Sequence, residues 1–197
     1  MGFLYIPIKR ATDLILSLAG LAVLSPLLIL LALLIKLESR GPVFFSQKRI
    51  GIGKSHFAIY KFRTMRIDAP KDVPTHLLDN PAQFITGMGR FLRRTSLDEL
   101  PQIFNIIKGD MSIVGPRPAL WNQYDLAAER DLYGANDILP GLTGWAQING
   151  RDELPIPEKA RLDGEYVRRM SFGFDCKIFV LTLARVAAAD GVRGVNK

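Results

Sequence analysis

The sequence is poor in the residues that build disulfides and metal centres. It contains one cysteine, Cys176, and two histidines, His56 and His76. A single cysteine excludes an internal disulfide and most thiolate metal sites, and its apolar surroundings predict a buried, inert thiol. The two histidines lack the paired spacing of zinc ligands, so a zinc centre is not expected. This composition is compatible with a reducing, cytosolic setting.

The chain also lacks the glycine-rich loops of the common nucleotide-binding folds. Gly53-Lys54-Ser55 imitates the end of a P-loop, but Lys48 stands where the motif needs its first glycine. Rossmann fingerprints, kinase loops, internal repeats and low-complexity tracts are absent from the sequence as well. A length of 197 residues fits one domain of ordinary size.

The positive charge is concentrated in the first third of the chain. Up to Arg66 there are ten Lys and Arg against two acids, a balance of +8, whereas the remainder carries 16 basic and 17 acidic residues, a balance of −1. Nucleic acids and anionic lipid headgroups both attract such a surface. Because the basic residues flank an apolar segment, we expect anionic membrane lipids as the partner and no nucleic acid.

That apolar segment is a run of 22 uncharged residues, 14–35. At about 1.5 Å per residue, a helix of this length can cross a hydrocarbon core of roughly 30 Å. Ser25-Pro26 falls near its middle, where proline tends to kink or break a helix. Basic residues on both flanks favour a cytoplasmic location for both ends. A spanning helix and a re-entrant helix in one leaflet both remain open, whereas the run is too long for a cleaved signal peptide.

The rest of the pattern indicates a helix-rich α/β fold. Two β-prone runs around a glycine turn predict a small hairpin, 43–49 with 56–64. An exposed loop is expected at 67–81, helices at 90–94, 97–108 and 121–133, and a short strand at 146–148. An apolar helix at 172–183 fits either the core or the bilayer interface.

The adjacent acids Asp98 and Glu99 are the most informative candidates for chemistry. In such a pair, one carboxylate can attack phosphorus while the other holds a divalent cation that offsets charge repulsion. A purely structural interpretation is also open. Ser96-Leu97-Asp98-Glu99 fits a capping box in which Ser96 is the N-cap and Glu99 reaches back to it.

Basic residues suited to phosphate lie elsewhere in the chain. Arg117 stands between two prolines, which stiffen its backbone and hold the guanidinium ready for bidentate contact, although a rigid surface turn has the same sequence. Lys61 and Arg63, two residues apart on one face of a strand, are typical of an ordinary solvated face. Arg93 lies five residues before Asp98, close enough in sequence to sit at the rim of the same helix entrance. Together with Asp98 and Glu99, these cations supply the groups needed for attack on a pyrophosphate.

The order of motifs resembles the bacterial sugar transferase family, the monotopic phosphoglycosyl transferases, and among them the small members. The similarity extends over residues 9–183. The motifs that carry it are Lys9-Arg10 with Asp13, Ser25-Pro26, Tyr60-Lys61-Phe62-Arg63-Thr64-Met65, Ser96-Leu97-Asp98-Glu99-Leu100-Pro101-Gln102, Lys108-Gly109-Asp110-Met111-Ser112, Gly115-Pro116-Arg117-Pro118 and Pro140-Gly141-Leu142-Thr143-Gly144-Trp145-Ala146-Gln147-Ile148-Asn149-Gly150-Arg151.

The resemblance implies transfer of a sugar phosphate from a UDP-sugar to a polyprenol (undecaprenyl) phosphate, with release of UMP, at the start of glycoconjugate or polysaccharide assembly. Asp98 would be the nucleophile of a covalent aspartyl phosphosugar intermediate, and Glu99 would help to hold Mg²⁺. Substrate would be bound by Lys61, Arg93 and Arg117, with Arg151 as a further candidate for binding or for structure.

The resemblance also implies a topology. Residues 1–40 would form a re-entrant membrane helix broken at Ser25-Pro26, and residues 41–197 a cytoplasmic catalytic domain that makes one continuous fold with it. The location would be the cytoplasmic face of a bacterial inner membrane. The sugar, the pathway and formation of a homodimer stay open. From the residues alone, so do two other functions: a Mg²⁺-dependent nucleotide-sugar hydrolase and a non-enzymatic membrane-binding scaffold.

Overall fold

The computed structural model describes residues 2–70, 81–150 and 154–187. Over these residues the chain forms seven α-helices and four short strands, which confirms the predicted helix-rich α/β fold. In chain order they are α1 (Gly2–Glu38), β1 (Phe44–Ile50), β2 (His56–Phe62), α2 (Gly87–Thr95), α3 (Gln102–Lys108), β3 (Ser112–Val114), α4 (Tyr124–Asp131), β4 (Gly141–Thr143), α5 (Trp145–Ile148), α6 (Ile156–Arg169) and α7 (Phe172–Ala187).

The predicted hairpin is confirmed. Strands β1 and β2 pair antiparallel, from Phe44 opposite Phe62 to Ile50 opposite His56. Gly53 in the connecting turn has a φ of +59°, which glycine adopts without the steric cost that other residues meet. The hairpin packs on α3 through a buried cluster formed by Ile59, Ile106 and Met111.

A second, parallel pair of strands corrects the sequence prediction. Strand β4 pairs with β3 at Gly141–Thr143, whereas residues 146–148, predicted as a strand, lie in helix α5. A three-residue apolar run carries too little periodicity to separate helix from strand. The strand falls on Gly141 because a Cβ atom there would lie 2.1 Å from the Gly115 nitrogen, so the two backbones require glycine at this approach.

The N-terminal part of α1 is fastened to the rest of the protein by polar contacts. Lys9 pairs with Asp175 of α7 at 2.5 Å. Arg10 donates to the carbonyl oxygens of Ile106 and Ile107 near the end of α3, which satisfies carbonyl groups that have no partner within the helix. The Asp13 carboxylate accepts hydrogen bonds from β3, at the Ser112 hydroxyl and the Ile113 amide.

The C-terminal part of α1 packs on the same body through apolar contacts. Leu31 and Ile35 form a buried cluster with Phe62 of β2 and Leu92 of α2. Beyond the helix, the Arg63 guanidinium donates to the carbonyl oxygens of Ser39 and Arg40. Both ends of the apolar segment therefore lie on one globular unit.

Pro26 does not interrupt α1, so the predicted break at Ser25-Pro26 is wrong as an end of the helix. Proline lacks the amide that would donate to the carbonyl of Ala22, four residues earlier. The Ser25 hydroxyl donates to that carbonyl instead, at 2.9 Å. The serine thereby replaces the hydrogen bond that the proline removes, and the helix continues.

The outer face of α1 is apolar and exposed. Of the helices in the described ranges, α1 alone is long and apolar enough to cross a membrane, judged by the length and composition of its part from Tyr5 to Glu38. Only 11% of its most apolar window is buried, unlike the core helix of a soluble protein. The exposed large side chains along it include Ile15, Leu18, Val23, Ile29 and Leu33.

Helix α7 has apolar residues on two faces, one packed in the core and one exposed. Phe174 and Ile178 are buried in the core, whereas Phe172 and Val180 are exposed. Cys176, predicted to be buried, is exposed on this helix. Its position between the core residues at 174 and 178 places it on the opposite side of the helix, because side chains four apart share a face.

Two further predicted regions are the helix at 97–108 and the loop at 67–81. The predicted helix 97–108 divides into a 3₁₀ turn at Leu97–Glu99 and helix α3, which begins after Pro101 and ends at Gly109 with a φ of +99°. Most of the loop predicted at 67–81 lies outside the described residues.

Candidate active site

The carboxylate of Glu99 is the centre of the candidate site. Its Oε1 atom accepts a hydrogen bond from the Lys61 ammonium at 2.6 Å and another from the Arg117 guanidinium at 3.0 Å. The Glu99 side chain is 19% exposed, so solvent screens these contacts far less than it screens surface pairs. Three of the predicted site residues therefore meet at one carboxylate.

Asn105 explains why Lys61 reaches Glu99. Its side chain is fully buried; the amide nitrogen donates to the Ala58 carbonyl, and the amide oxygen accepts from the Tyr60 backbone N–H. Both contacts tie β2 to α3. The hairpin is thereby fixed against α3, which follows the turn that carries Glu99, and Lys61 is brought to the carboxylate.

The acids do not cap a helix in the predicted way, so the capping-box interpretation is wrong. Ser96 adopts a left-handed conformation with a φ of +56°, and its side chain makes no capping hydrogen bond. Glu99 turns to Lys61 and Arg117 instead of back to Ser96. A non-glycine residue with positive φ is uncommon and clusters at functional sites.

Asp98 lies beside this ion-pair cluster and lines the same cavity. Burial raises the pKa of its carboxyl to about 6, and the negative charge of Glu99 adds to the rise, while the charges of Lys61, Arg93 and Arg117 oppose it. Within the described ranges its carboxylate has no hydrogen-bond partner. A carboxylate that is partly desolvated and not engaged in hydrogen bonds is suited to attack an electrophile.

The pKa values of the two acids are shifted in opposite directions: that of Asp98 is raised and that of Glu99 is lowered. Burial would raise the pKa of Glu99, but the charges and hydrogen bonds of Arg117 and Lys61 outweigh it and hold that pKa well below the usual range. Burial also lowers the pKa of Lys61, against the effect of Glu99. Adjacent carboxylates whose environments separate their pKa values typically have different roles.

Arg93 joins the site from helix α2. Its Nε atom donates to the Thr64 hydroxyl at 2.8 Å, and its charge acts on Asp98. Burial lowers the pKa of the guanidinium, with Asp98 opposing that change. Arg93 therefore acts on Asp98 through its charge. Thr64, which orients it, was not predicted.

The loop that carries Arg117 is held from two sides. Arg49 donates to the Pro118 carbonyl, and Arg130 donates to the Arg117 carbonyl, each at 3.0 Å. Arg130 also pairs with Asp163 at 2.6 Å, and their side chains are only 5% and 1% exposed. A buried ion pair thus fixes the backbone of the arginine that contacts Glu99.

Sequence reasoning missed Arg49, Asn105, Arg130 and Asp163. Arg49 lies two residues from Gln47 on a β-prone run, so the two side chains share one face of the strand. This pairing of polar side chains was a weak signal for Arg49. Arg130 and Asp163 lie on different helices, α4 and α6, and no local pattern links them. Arg151, predicted to contact substrate, lies outside the described residues.

The site offers a carboxylate suited to Mg²⁺, provided that the substrate supplies phosphate oxygens as further ligands. The described residues contain no group of three or more His, Cys, Asp or Glu side chains that could hold a metal ion. Mg²⁺ is commonly bound through one or two carboxylates together with substrate phosphates and water. Glu99 uses one oxygen for Lys61 and Arg117, and its Oε2 atom has no hydrogen bond to the described residues.

One cavity of about 2200 Å³ is lined by Lys61, Arg93, Asp98, Glu99 and Arg117. Pockets for drug-sized ligands typically measure roughly 300–1,000 Å³, so this cavity has room for more than one substrate. A carboxylate without hydrogen bonds to the described residues, a second carboxylate held by cations, and an arginine on a fixed loop are together suited to phosphoryl transfer.

Comparison with known proteins agrees with this chemistry. A model of the bacterial sugar transferase family matches residues 4–189. The chain is 39% identical over 189 residues to the uncharacterized sugar transferase EpsL of Bacillus subtilis, covering 96% of this chain and 92% of that protein. The chain therefore belongs to the bacterial sugar transferase family and is a transferase.

Two relatives that are named for a specific activity are longer than this chain. A UDP-glucose:undecaprenyl-phosphate glucose-1-phosphate transferase of Escherichia coli is 44% identical over 184 residues, which are 89% of this chain and 39% of that protein. The undecaprenyl-phosphate glucose phosphotransferase of Komagataeibacter xylinus is 43% identical over 187 residues, 90% of this chain and 35% of its own length. The chain thus spans less than half of these two relatives.

Proposed function

We propose that this protein transfers a sugar phosphate from a UDP-sugar to a polyprenol phosphate such as undecaprenyl phosphate, and releases UMP. The observation that carries the proposal is the Asp98-Glu99 pair, in which Glu99 is tied to Lys61 and Arg117 while Asp98 has no hydrogen bond to the described residues. The substrates named for the relatives support the choice of donor and acceptor.

The first half-reaction would begin at Asp98. A carboxylate oxygen of Asp98 forms a bond to the phosphorus that bears the sugar, and the bond from that phosphorus to the bridging oxygen of the diphosphate breaks. UMP leaves with the bridging oxygen and its electron pair. Arg117 and Arg93 would bind the phosphate oxygens, and Lys61 would hold Glu99 in place.

The second half-reaction would regenerate the acid. A phosphate oxygen of the polyprenol phosphate attacks the same phosphorus, and the bond to the Asp98 oxygen breaks. The product is a polyprenyl diphosphate sugar, and Asp98 is again a free carboxylate. The acyl phosphate keeps the phosphorus reactive between the two steps.

Mg²⁺ would be held by Glu99 together with the substrate phosphates, where it would offset the negative charge that opposes approach of a carboxylate. Lys61 and Arg117 keep Glu99 ionised, because they lower its pKa. Chelation of divalent cations followed by re-addition of Mg²⁺ tests this assignment, with activity expected to be lost and then restored.

We also propose that the protein works at the cytoplasmic face of the bacterial inner membrane, in a re-entrant placement in which α1 lies in one leaflet with both of its ends on the cytoplasmic side. The packing of both ends of α1 on the same globular unit supports this path, because a spanning helix would separate its ends. The exposed apolar outer face of α1 supports contact with lipid.

The proposed activity is tested by following UMP release over a panel of UDP-sugars, with and without polyprenol phosphate. With a suitable donor and no acceptor, the protein should release about one UMP per active site and gain one sugar phosphate on the peptide that contains Asp98. Adding polyprenol phosphate should discharge the label and restore turnover. Continuous UMP release without acceptor would indicate a hydrolase, and no release with any donor would indicate a scaffold.

A further inference from the structure

The cavity that contains Asp98 also has an apolar branch. Along α3 and the turn before it, Leu100, Ile103 and Ile106 line the cavity at spacings of three residues. Such spacing places side chains on one face of a helix, and six residues span about 9 Å. An apolar stripe therefore leads away from the acids along α3.

The walls of this branch come from α1 and α7. The two helices are joined at one point by the ion pair between Lys9 and Asp175. Farther along each helix, both line the cavity, α1 at Leu16 and α7 at Phe179 and Leu183. Strand β3 lies between them, since it accepts contacts from both helices and its Ile113 also lines the cavity.

The branch is lined by buried residues on α3, which we call its base, and by exposed residues on α1 and α7, which we call its rim. Ile103 and Ile106 at the base are 8% and 0% exposed, whereas Leu16, Phe179 and Leu183 at the rim are 54%, 44% and 54% exposed. The rim belongs to the two helices that carry exposed apolar outer faces. The rim therefore lies where the protein meets lipid.

From this arrangement we infer that the groove between α1 and α7, lined by Leu16, Ile103, Ile106, Phe179 and Leu183, binds the isoprenoid chain of the acceptor lipid. This inference rests on the proposed transfer to a polyprenol phosphate. An isoprenoid chain has no hydrogen-bonding groups, so an apolar lining is the surface that suits it. Its phosphate needs cations, which Lys61, Arg93 and Arg117 supply at the inner end.

The groove also places the two ends of the acceptor in suitable surroundings. The chain enters from the membrane side over the rim, and the phosphate reaches Asp98 at the end of the α3 stripe. The donor is polar throughout and has no use for an apolar branch. The groove therefore concerns the second half-reaction alone.

Substitution of rim residues tests the inference. The rim variant Phe179→Ser/Leu183→Ser removes two apolar side chains that line the groove. The control variant Phe172→Ser/Val180→Ser removes two exposed apolar side chains from the same helix that do not line it. A third variant, Leu183→Trp, narrows the groove without making it polar. Assays use the full chain in mixed micelles of fixed composition.

Three measurements are compared for each variant: formation of the labelled protein from UDP-sugar alone, the KM for undecaprenyl phosphate, and the KM for geranyl phosphate, whose chain is too short to reach the rim. The rim variant and Leu183→Trp should raise the KM for undecaprenyl phosphate about tenfold, in line with lost apolar contact. Their labelling and their KM for geranyl phosphate should stay at the wild-type values, and the control should match wild type throughout.

Other results overturn the inference. Equal losses in the rim and control variants would mean that α7 only docks on the membrane. Slower labelling in the rim variant, with an unchanged melting temperature, would mean that the groove serves the donor. Normal kinetics in both the rim variant and Leu183→Trp would show that the isoprenoid chain binds elsewhere. Wild-type protein that forms no label and releases no UMP would instead overturn the proposed function itself.

Discussion

Lys61 and Arg117 donate hydrogen bonds to the same oxygen atom of Glu99, at 2.6 and 3.0 Å. One comes from the hairpin and the other from the loop after β3, so the carboxylate joins two elements that are far apart in the chain. The neighbouring Asp98 takes no part in these bonds. This asymmetry separates the expected roles of the two acids.

Asp98→Asn should abolish labelling by UDP-sugar, because an amide does not attack phosphorus effectively. We expect a loss of about three orders of magnitude or more in UMP release, even in the first turnover. Glu99→Gln should slow labelling and weaken the response to Mg²⁺ while leaving Asp98 available. Intact mass and peptide mapping check both variants. Label that persists in Asp98→Asn, or moves to Glu99, would refute the assignment.

Arg117→Lys should lose activity although it keeps the charge. Lysine lacks the planar fork that contacts a phosphate and Glu99 together, so we expect about a 10- to 100-fold fall in kcat/KM. The melting temperature should change little, because the side chain is 36% exposed. Arg94→Lys on the exposed face of α2 is the matched control and should be neutral. Normal turnover of Arg117→Lys would make Arg117 part of a turn only.

The rate of labelling should depend on pH through Asp98. Since burial raises the pKa of Asp98 to about 6, the nucleophile is increasingly protonated below that pH. Single-turnover labelling should therefore rise as the pH increases through about 6 and level off above it. Quenched mass spectrometry from pH 5 to 8 measures this. A profile that is flat over this range would exclude Asp98 as the titrating nucleophile.

The same pKa predicts an effect on stability with a definite sign. Folded protein holds the Asp98 proton more tightly than the unfolded chain, whose carboxyl has the ordinary pKa of 3.8. Between pH 4 and 6, wild type should therefore become less stable relative to Asp98→Asn as the pH rises, by about 1–3 kcal/mol in total. Denaturant unfolding of both proteins at several pH values gives the difference. A difference that moves in the opposite direction would contradict the assigned pKa.

Arg130→Met should destabilise the protein by about 3–5 kcal/mol, because it leaves the buried Asp163 without its cation. Adding Asp163→Leu should recover much of that loss, since no charge then remains buried. Both proteins should still show a raised KM for the donor, because the Arg117 carbonyl loses the Arg130 hydrogen bond. Unfolding curves and steady-state kinetics separate the two effects. Full activity in the double variant would show that Arg117 needs no such support.

The re-entrant path predicts that both ends of α1 lie in the cytoplasm. Because Cys176 is exposed, it must first be replaced by serine. Single cysteines at the exposed positions Ile6 and Leu37 should then react in intact cells only with a membrane-permeant reagent. Labelling of either position by an impermeant reagent from outside would establish a spanning helix.

The elements that were predicted correctly had strong local signals. Two β-prone runs around a glycine turn predicted the hairpin, and the predicted helix end at residue 108 is the end of α3. The strand at 141–143 was missed because its position depends on close contact with Gly115, and such a tertiary contact leaves no local signal in the sequence. The same holds for Asn105 and the Arg130–Asp163 pair. Motif resemblance located Lys61, Arg93 and Arg117, but their convergence on the acids required the fold.

The attachment of both ends of α1 to the body has a thermodynamic consequence. Lys9, Asp13, Leu31 and Ile35 are buried parts of the folded unit, while the other side of the same helix is exposed and apolar. Bilayer that binds this side acts as a ligand of the native state alone, so its concentration becomes a variable of stability. The melting temperature should rise with lipid content, and a fragment that starts after residue 40 should not reach the native fold. Deleting α1 is therefore not expected to yield a soluble, folded protein.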